Sequence, residues 1–224
     1  MLHTVDRAGA ERHVAMLGDV VASRRHPDRE RRLAAIGGAL ELTNRRVAAT
    51  QPLTPTIGDE FQGLYVDLVS ALDATLVVRL ALLGEVDVRF GIGSGELLEY
   101  DAARAPFEQD GPAWWAAREA VDMVRDLEQR RERPRGLRTR WIDEAVDASA
   151  QVGAVNAFLQ CRDELVAAMD PRDADALLGL LVDEPLTSIA KRLGVSVSAV
   201  SQRAIRGGLY AIRQAHGELR EAIA

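Results

Sequence analysis

The order of strand-like and helix-like patterns in the first half of the chain limits its fold more than any other feature. The apolar run His13–Leu17 predicts a buried strand that ends at a Gly-Asp pair. Residues Asp28–Ala48 place apolar side chains at near-helical spacing and predict a long amphipathic helix. A second Gly-Asp pair, at Gly58 and Asp59, lies between two apolar runs and predicts the tip of a β-hairpin.

The following residues complete an α+β unit. A helix is predicted over about Leu68–Leu83, and Val86–Ile92 alternates apolar and polar residues as a strand does. Gly93–Gly95 is predicted to turn the chain, and Asp110 followed by Pro112 is typical of a helix start. The order β-α-β-β-α-β indicates a ferredoxin-like sheet-and-helix domain.

The charged, proline-containing segment Arg130–Arg140 is predicted to close this first domain. Asp170 and Pro171 have the chemistry of a helix start. We therefore predict an α+β domain over 1–146, a connecting or dimerisation helix over 147–170 and an all-α helix-turn-helix domain over 171–224.

Charge is distributed unevenly. The net charge of the 224 residues is −6, but Leu186–Gly217 holds five basic residues and no acid, which leaves −11 for the remainder. We expect a cytoplasmic protein, because no apolar stretch is long enough for a membrane span and the N-terminus lacks a signal core. The single cysteine, Cys161, excludes an internal disulfide and a multi-cysteine zinc site.

Asp19 and Asp59 each follow a glycine at a predicted strand end. Because the first strand and the central hairpin are neighbours in a ferredoxin-like sheet, we expect both carboxylates at one oxygen-rich site. Such a site suits Mg²⁺ or Mn²⁺, and Gly18 and Gly58 would let a triphosphate approach the backbone. The implied chemistry is metal-assisted phosphoryl or nucleotidyl transfer. The alternative is that both aspartates only cap turns.

Four ordered blocks resemble the SatD family and, more remotely, the class III nucleotide cyclases: GDVVASR (18–24), TIGDEFQG (56–63), VRFGIGSGE (88–96) and DGPAWWAAREA (110–120). The resemblance covers roughly the first 125 residues. It implies that Asp19 and Asp59 bind the metal and that Ser23 and Arg24, after Asp19, line a nucleotide phosphate pocket. It also implies that Arg118 matches an arginine that stabilises the transition state, and that the protein is a homodimer.

The chain departs from the cyclase pattern at four positions. Pro55 stands where a base-reading lysine is expected, Phe107 replaces its aspartate partner, Trp114 replaces an asparagine and Ala22 replaces a glycine of the phosphate loop. These departures favour a nucleotide sensor over an enzyme. An active nucleotidyl cyclase or related nucleotidyltransferase tethered to DNA is the alternative.

The segment EPLTSIAKRLGVSVSAVSQRAIRGGL (184–209) predicts a helix-turn-helix. Gly194 suits the turn between two helices. The segment resembles the promoter-recognition helix-turn-helix of sigma factors, and its alternative function is protein contact. The predicted DNA-binding residues are the cap Ser196, the base-edge candidates Ser198, Ser201 and Gln202, and the phosphate-binding Arg203 and Arg206.

Taken together, these patterns predict a dimeric, DNA-binding transcriptional regulator. Its cyclase-like domain would sense a nucleotide with Mg²⁺ or Mn²⁺ and control the C-terminal helix-turn-helix. Double-stranded DNA, a nucleotide and a second copy of the chain are the predicted partners, with no membrane. A scaffold whose C-terminal helices bind a protein such as RNA polymerase is a further alternative.

Overall fold

The computed structural model describes residues 12–21, 29–56, 59–99, 109–143 and 150–223. The sequence predictions made for Ala22, Ser23, Arg24, Gly58 and Phe107 lie outside these residues.

All strands and three helices lie in the first two thirds of the chain, and five helices follow in the described residues. The strands are β1 (Arg12–Val20), β2 (Gln51–Pro55), β3 (Glu60–Tyr65), β4 (Val88–Glu96), β5 (Leu98–Glu99), β6 (Gln109–Asp110) and β7 (Thr139–Asp143). The helices are α1 (Arg29–Arg46), α2 (Leu68–Ala81), α3 (Pro112–Gln129), α4 (Ala150–Ala167), α5 (Pro171–Leu180), α6 (Leu186–Leu193), α7 (Val197–Arg206) and α8 (Leu209–Ile223).

The main sheet has the strand order β2-β3-β1-β4-β7, and β5 pairs with β6 in a small separate ladder. All neighbours in the main sheet are antiparallel except β4 and β7, which are parallel. Met16 at the centre of β1 lies opposite Gly63 of β3 and Ile92 of β4. This mixed sheet with its helices confirms the predicted α+β class.

Two predicted strand ends are wrong. β1 continues to Val20, so Gly18 and Asp19 lie inside a strand and not at its end. β4 continues to Glu96, so Gly93–Gly95 forms strand where a turn was expected. In β4 the reason is the packing of α3, which needs a strand face without side chains.

The glycines of β4 bring the backbone of α3 directly onto the sheet. A Cβ atom added at Gly91 would lie 2.0 Å from the carbonyl oxygen of Ala117, and one at Gly93 would lie 2.2 Å from that of Ala113. Real Cβ atoms do not approach backbone this closely, so no other residue fits without moving the helix. The small side chains of α3 complete the contact, since Ala113 and Ala117 are fully buried.

Helices cover both faces of the sheet. Val14, Met16 and Val20 of β1 join the apolar cluster formed with α1, α2 and α4. The intervening Ala15 and Leu17 join a second cluster with α3. Because successive strand residues point to opposite faces, α3 lies on one side of the sheet, and α1, α2 and α4 lie on the other.

The C-terminal helices pack against α2. A third apolar cluster joins Leu76 and Leu80 of α2 to buried side chains of α5 to α8. Asp73 of α2 also contacts α8, where His216 lies 2.6 Å away and Arg220 donates at 3.0 Å. The predicted division at residues 146 and 170 stays a prediction, and this cluster connects the two predicted domains. None of the described helices combines the length and apolar character needed to cross a bilayer.

A buried ionic cluster anchors the connection between α3 and β7. The fully buried Asp163 of α4 accepts hydrogen bonds from the backbone amides of Arg138 and Thr139, both at 2.7 Å. Its carboxylate also lies 2.9 Å from Arg79 and 2.9 Å from Arg162. Burial alone would raise the pKa of Asp163, but the two guanidinium groups and the amide donors hold that pKa below its ordinary value.

Replacement of a β4 glycine tests the packing of α3. Gly93→Ala should lower the free energy of unfolding by about 3 kcal/mol, because the methyl group overlaps the α3 backbone. The control Gly38→Ala places a methyl group in open space on α1, and it should raise stability by about 0.5–1 kcal/mol. Urea unfolding followed by circular dichroism measures both changes. Equal stability of Gly93→Ala and wild type would contradict the packing.

Replacement of the buried carboxylate tests the ionic cluster. Asp163→Asn should lower stability by about 3–5 kcal/mol at pH 7, because it leaves two buried guanidinium groups without a counter-charge. The control Asp122→Asn breaks a largely exposed pair with Arg125 and should change stability by at most about 0.5 kcal/mol.

The difference in stability between wild type and Asp163→Asn should also depend on pH. The pKa of Asp163 is lower in the folded state than in the unfolded state. Its ionised carboxylate therefore contributes fully to the free energy of unfolding above the unfolded-state pKa of about 4, and this contribution is lost as pH falls below that pKa. The difference between wild type and Asp163→Asn should therefore shrink in unfolding experiments run from pH 5 to pH 3. A constant difference over this range would contradict a depressed pKa.

Candidate functional site

The predicted site residue Asp19 and its cross-strand neighbour Glu60 meet arginines on the α3 side of the sheet. Asp19 of β1 lies opposite Glu60 of β3 and, on its other side, opposite Arg89 of β4. α3 crosses above them and contributes Arg118 and Arg125, which lie seven residues apart and therefore project from one face of the helix.

Asp19 is bound by two guanidinium groups. Arg89 Nη1 donates to Asp19 Oδ2 at 2.6 Å, and Arg125 Nη2 donates to Asp19 Oδ1 at 2.8 Å. The side chain of Asp19 is only 13% exposed. Hydrogen bonds to Asp19 raise the pKa of Arg125 despite the opposing effect of partial burial. Both carboxylate oxygens therefore already have cationic partners.

Glu60 and Arg118 form a two-pronged ion pair. Arg118 Nη1 and Nη2 donate to Glu60 Oε1 and Oε2 at 2.7 and 2.9 Å, the geometry in which a guanidinium matches a carboxylate best. These hydrogen bonds raise the pKa of Arg118. The arginine that the cyclase resemblance assigned to the transition state is thus held by a glutamate of the sheet.

Asp59 is bound from the other layer. Arg32 Nη2 of α1 donates to Asp59 Oδ1 at 3.0 Å, and α1 lies on the face of the sheet opposite α3. The backbones of the two predicted metal ligands adjoin, since the amide of Val20 donates to the carbonyl of Asp59 at 3.2 Å. Their side chains nevertheless meet arginines from different layers.

This arrangement does not fit a shared cation. No group of three or more His, Cys, Asp or Glu side chains suited to a metal occurs within the described residues. A shared ion would place its positive charge beside the guanidinium groups that already pair with both carboxylates. We therefore derive no chemistry through a metal, and Mg²⁺ or Mn²⁺ binding at these residues stays a prediction.

The arginine network extends beyond the predicted site. Arg89 also pairs with Glu128 at 2.7 Å, and Arg138 contacts Glu128 at 3.3 Å and Asp87 at 2.6 Å. The sequence prediction assigned a role to none of these side chains. A signal was present, because Arg89 occupies a polar position of the alternating strand and its neighbours Val88 and Phe90 face the core.

The C-terminal helix pair has the helix ends predicted for it. α6 ends at Leu193 with Gly194 as its C-cap, at a φ of 67°, and Ser196 caps α7 by accepting from the amide of Ala199. The pair is closed by fully buried side chains on the inner face of α7, Val200 and Ala204. The exposed residues of α7 and its cap include four of the predicted DNA-binding residues: Ser196, Ser198, Gln202 and Arg206. Ser201 and Arg203 are half-buried.

Acidic residues just upstream neutralise much of the basic segment. Arg203 donates to Asp170 and Asp173 of the α5 start, both at 2.7 Å. The other paired residues are Arg192, which contacts Asp175 and Glu184, and Arg213, which contacts Asp183. Counted over 170–217, the charge is +1 and not the +5 of the shorter segment. Lys191 and Arg206 form no ion pair with a described carboxylate.

Comparison with known proteins gives one broad match. The model of the SatD family matches residues 13–210, and so includes the C-terminal helices through α7. None of the curated proteins compared with the chain is a detectable relative.

Two solved structures show weak similarity. One is a bacterial light-regulated adenylyl cyclase, with 13% identity and a TM-score of 0.40 over 59% of this chain and 76% of that one. The other is a regulator of polyketide synthase expression from Bifidobacterium adolescentis, with 16% identity and a TM-score of 0.29 over 95% of this chain and 82% of that one. The family match extends well past the 125 residues expected from the sequence blocks. From this match, the chain belongs to the SatD family.

Proposed function

We propose that the protein is a DNA-binding transcriptional regulator in which α6 and α7 form a helix-turn-helix and α7 is the recognition helix. The observation that carries the proposal is the division of α7 into two faces. Val200 and Ala204 are fully buried, whereas Ser198, Gln202 and Arg206 are exposed. A helix that enters the major groove needs this combination of a fixed inner face and exposed polar side chains.

The exposed side chains suit different parts of a duplex. The amide of Gln202 can form two hydrogen bonds with an adenine edge, and the hydroxyl of Ser198 can donate to or accept from several bases. Arg206 and Lys191 suit phosphate oxygens, because neither is occupied by a described carboxylate and both are exposed. Ser196 is engaged as the helix cap, and its hydroxyl remains at the surface.

Arg203 has a second role to consider. Its pKa is raised by hydrogen bonds to Asp170 and Asp173, and Asp170 is also the N-cap of α5. Arg203 therefore braces α7 against α5, and a phosphate would have to compete with two carboxylates for it. Loss of DNA binding by Arg203→Ala would have two explanations. One is the loss of the contact between α7 and α5, and the other is the loss of a contact with a DNA phosphate. Gln202 and Arg206 are the better test positions.

The predicted sensing function would reach this module through α2. α5 to α8 share an apolar cluster with α2, which also packs under the sheet. A nucleotide that stabilised one packing of α2 would shift the population of α7 orientations. In a symmetric homodimer, two copies of α7 would contact half-sites about 34 Å apart on the duplex.

Binding measurements with full-length protein test the DNA proposal. Duplexes selected from a random library provide the probe, and fluorescence anisotropy at fixed salt measures Kd. Arg206→Ala should weaken binding to all duplexes and reduce the salt dependence by about one phosphate contact. Gln202→Ala should reduce discrimination between selected and scrambled duplexes by about 1–3 kcal/mol.

A matched control is available on α8. Gln214 is also an exposed glutamine on a helix and pairs only with Glu218 among the described hydrogen bonds. Gln214→Ala should leave both Kd values unchanged. If Gln202→Ala and Arg206→Ala bind the selected duplex as wild type does, α7 is not a recognition helix.

The nucleotide prediction is tested in the same assay. If Asp59 binds the nucleotide as the sequence predicts, addition of ATP or GTP with Mn²⁺ should change the Kd for the selected duplex. Asp59→Asn should then abolish this response without changing DNA binding in the absence of nucleotide. Glu85→Gln is the control, because it breaks a different carboxylate pair with α1, that of Glu85 and Arg31. A response that survives Asp59→Asn would contradict the prediction. Release of pyrophosphate from either nucleotide would favour the alternative of an active nucleotidyl cyclase.

A further inference from the structure

The highest density of positive charge lies outside the helix pair. The segment from Arg130 to Arg140 holds six arginines and one glutamate, a net charge of +5 in eleven residues. It connects the end of α3 to β7. The four arginines at its start, at positions 130, 131, 133 and 135, are all exposed.

Two of these arginines line a cavity of about 430 Å³ at the end of α3. The cavity is bounded by Arg133 and Arg135 together with Arg89, Arg125, Arg138 and Glu128. Its volume lies within the range usual for small-ligand sites, about 300–1,000 Å³.

The five arginines of the cavity differ in how they are neutralised. Arg89 and Arg125 share Asp19, and Arg138 is balanced by Asp87 and Glu128. Arg133 and Arg135 form no ion pair with any carboxylate in the part of the chain that the structure describes. Two guanidinium groups therefore remain available at the cavity wall, beside three whose charge the protein balances itself.

The loop that carries the two available arginines is fixed to the body of the protein. The amide of Gly136 donates to Glu164 at 2.6 Å, and its carbonyl accepts from Arg79 at 2.7 Å. A Cβ atom at Gly136 would lie 2.7 Å from the carbonyl oxygen of Asp163, so the loop contacts α4 backbone directly. Pro134 further restricts the segment between the two arginines.

We propose that this cavity, which we call the arginine cavity, binds a small phosphorylated anion through Arg133 and Arg135. Guanidinium groups match phosphate oxygens in a two-pronged geometry, and two unbalanced groups favour a ligand with two or more negative charges. A diphosphate or longer phosphate chain meets both conditions. This site is separate from α7, and the inference does not depend on DNA recognition there.

The test uses full-length protein and inorganic tripolyphosphate as the probe. Isothermal titration calorimetry at constant ionic strength should give binding with a stoichiometry of one per chain. The double variant Arg133→Ser and Arg135→Ser should raise Kd about tenfold or more, because each charge-assisted contact is strong. Both side chains are exposed, so circular dichroism and urea unfolding should show an unchanged fold.

The loop itself supplies the matched control. Arg130→Ser and Arg131→Ser remove the same charge from exposed positions of the same segment that do not line the cavity, and Kd should change less than threefold. An equal loss in both double variants would show non-specific attraction to a basic loop and would overturn the site. Absence of binding to wild type at millimolar tripolyphosphate would also overturn it.

A competition experiment distinguishes a small anion from nucleic acid. A 20-base-pair duplex should not displace tripolyphosphate from wild type, because the proposed duplex site is α7 and not the arginine cavity. Displacement by the duplex, together with loss of duplex binding in Arg133→Ser and Arg135→Ser, would assign this surface to nucleic acid and reject the small-ligand site.

Discussion

The direct contact between the α3 backbone and the glycine face of β4 is the constraint on which the candidate site depends. Because Gly91 and Gly93 leave room for the carbonyl oxygens of Ala117 and Ala113, α3 lies close enough to the sheet for its arginines to reach Asp19 and Glu60. A larger residue in β4 would lift the helix and separate these charges. The fold and the electrostatics of this face thus have a common cause.

Several acidic residues of the described chain are matched by arginines that tertiary contacts bring to them. Asp19, Asp59 and Glu60 all have guanidinium partners from another element. The same holds in the C-terminal helices, where Arg203 pairs with the α5 start. Within the described residues, Arg133 and Arg135 have no carboxylate partner. The proposed site for an external anion rests on this unbalanced positive charge.

Local sequence signals predicted the ends of α5, α6 and α7 well, whereas the N-cap of α3 is Gly111 and not the expected Asp110. Asp170 and Pro171 start α5 in a capping box, and Gly194 and Ser196 separate α6 from α7 as expected. Each signal acts within one turn of helix, so neighbouring residues contain the whole cause. The glycines of β4 were misjudged for the opposite reason. The short spacing of these glycines is typical of a turn. The helix that packs on them begins more than fifteen residues later in the chain, so the neighbouring residues do not indicate it.

The sequence by itself determined the α+β class, the positions of most helices and the exposure of one face of α7, because these follow from periodicity and capping. Only the tertiary structure decided where the charges are balanced. Asp19 and Asp59 are adjacent through the backbone, yet their carboxylates meet α3 and α1 on opposite faces of the sheet. Which charges cancel depends on distances between elements far apart in the chain, and residue spacing alone does not encode those distances.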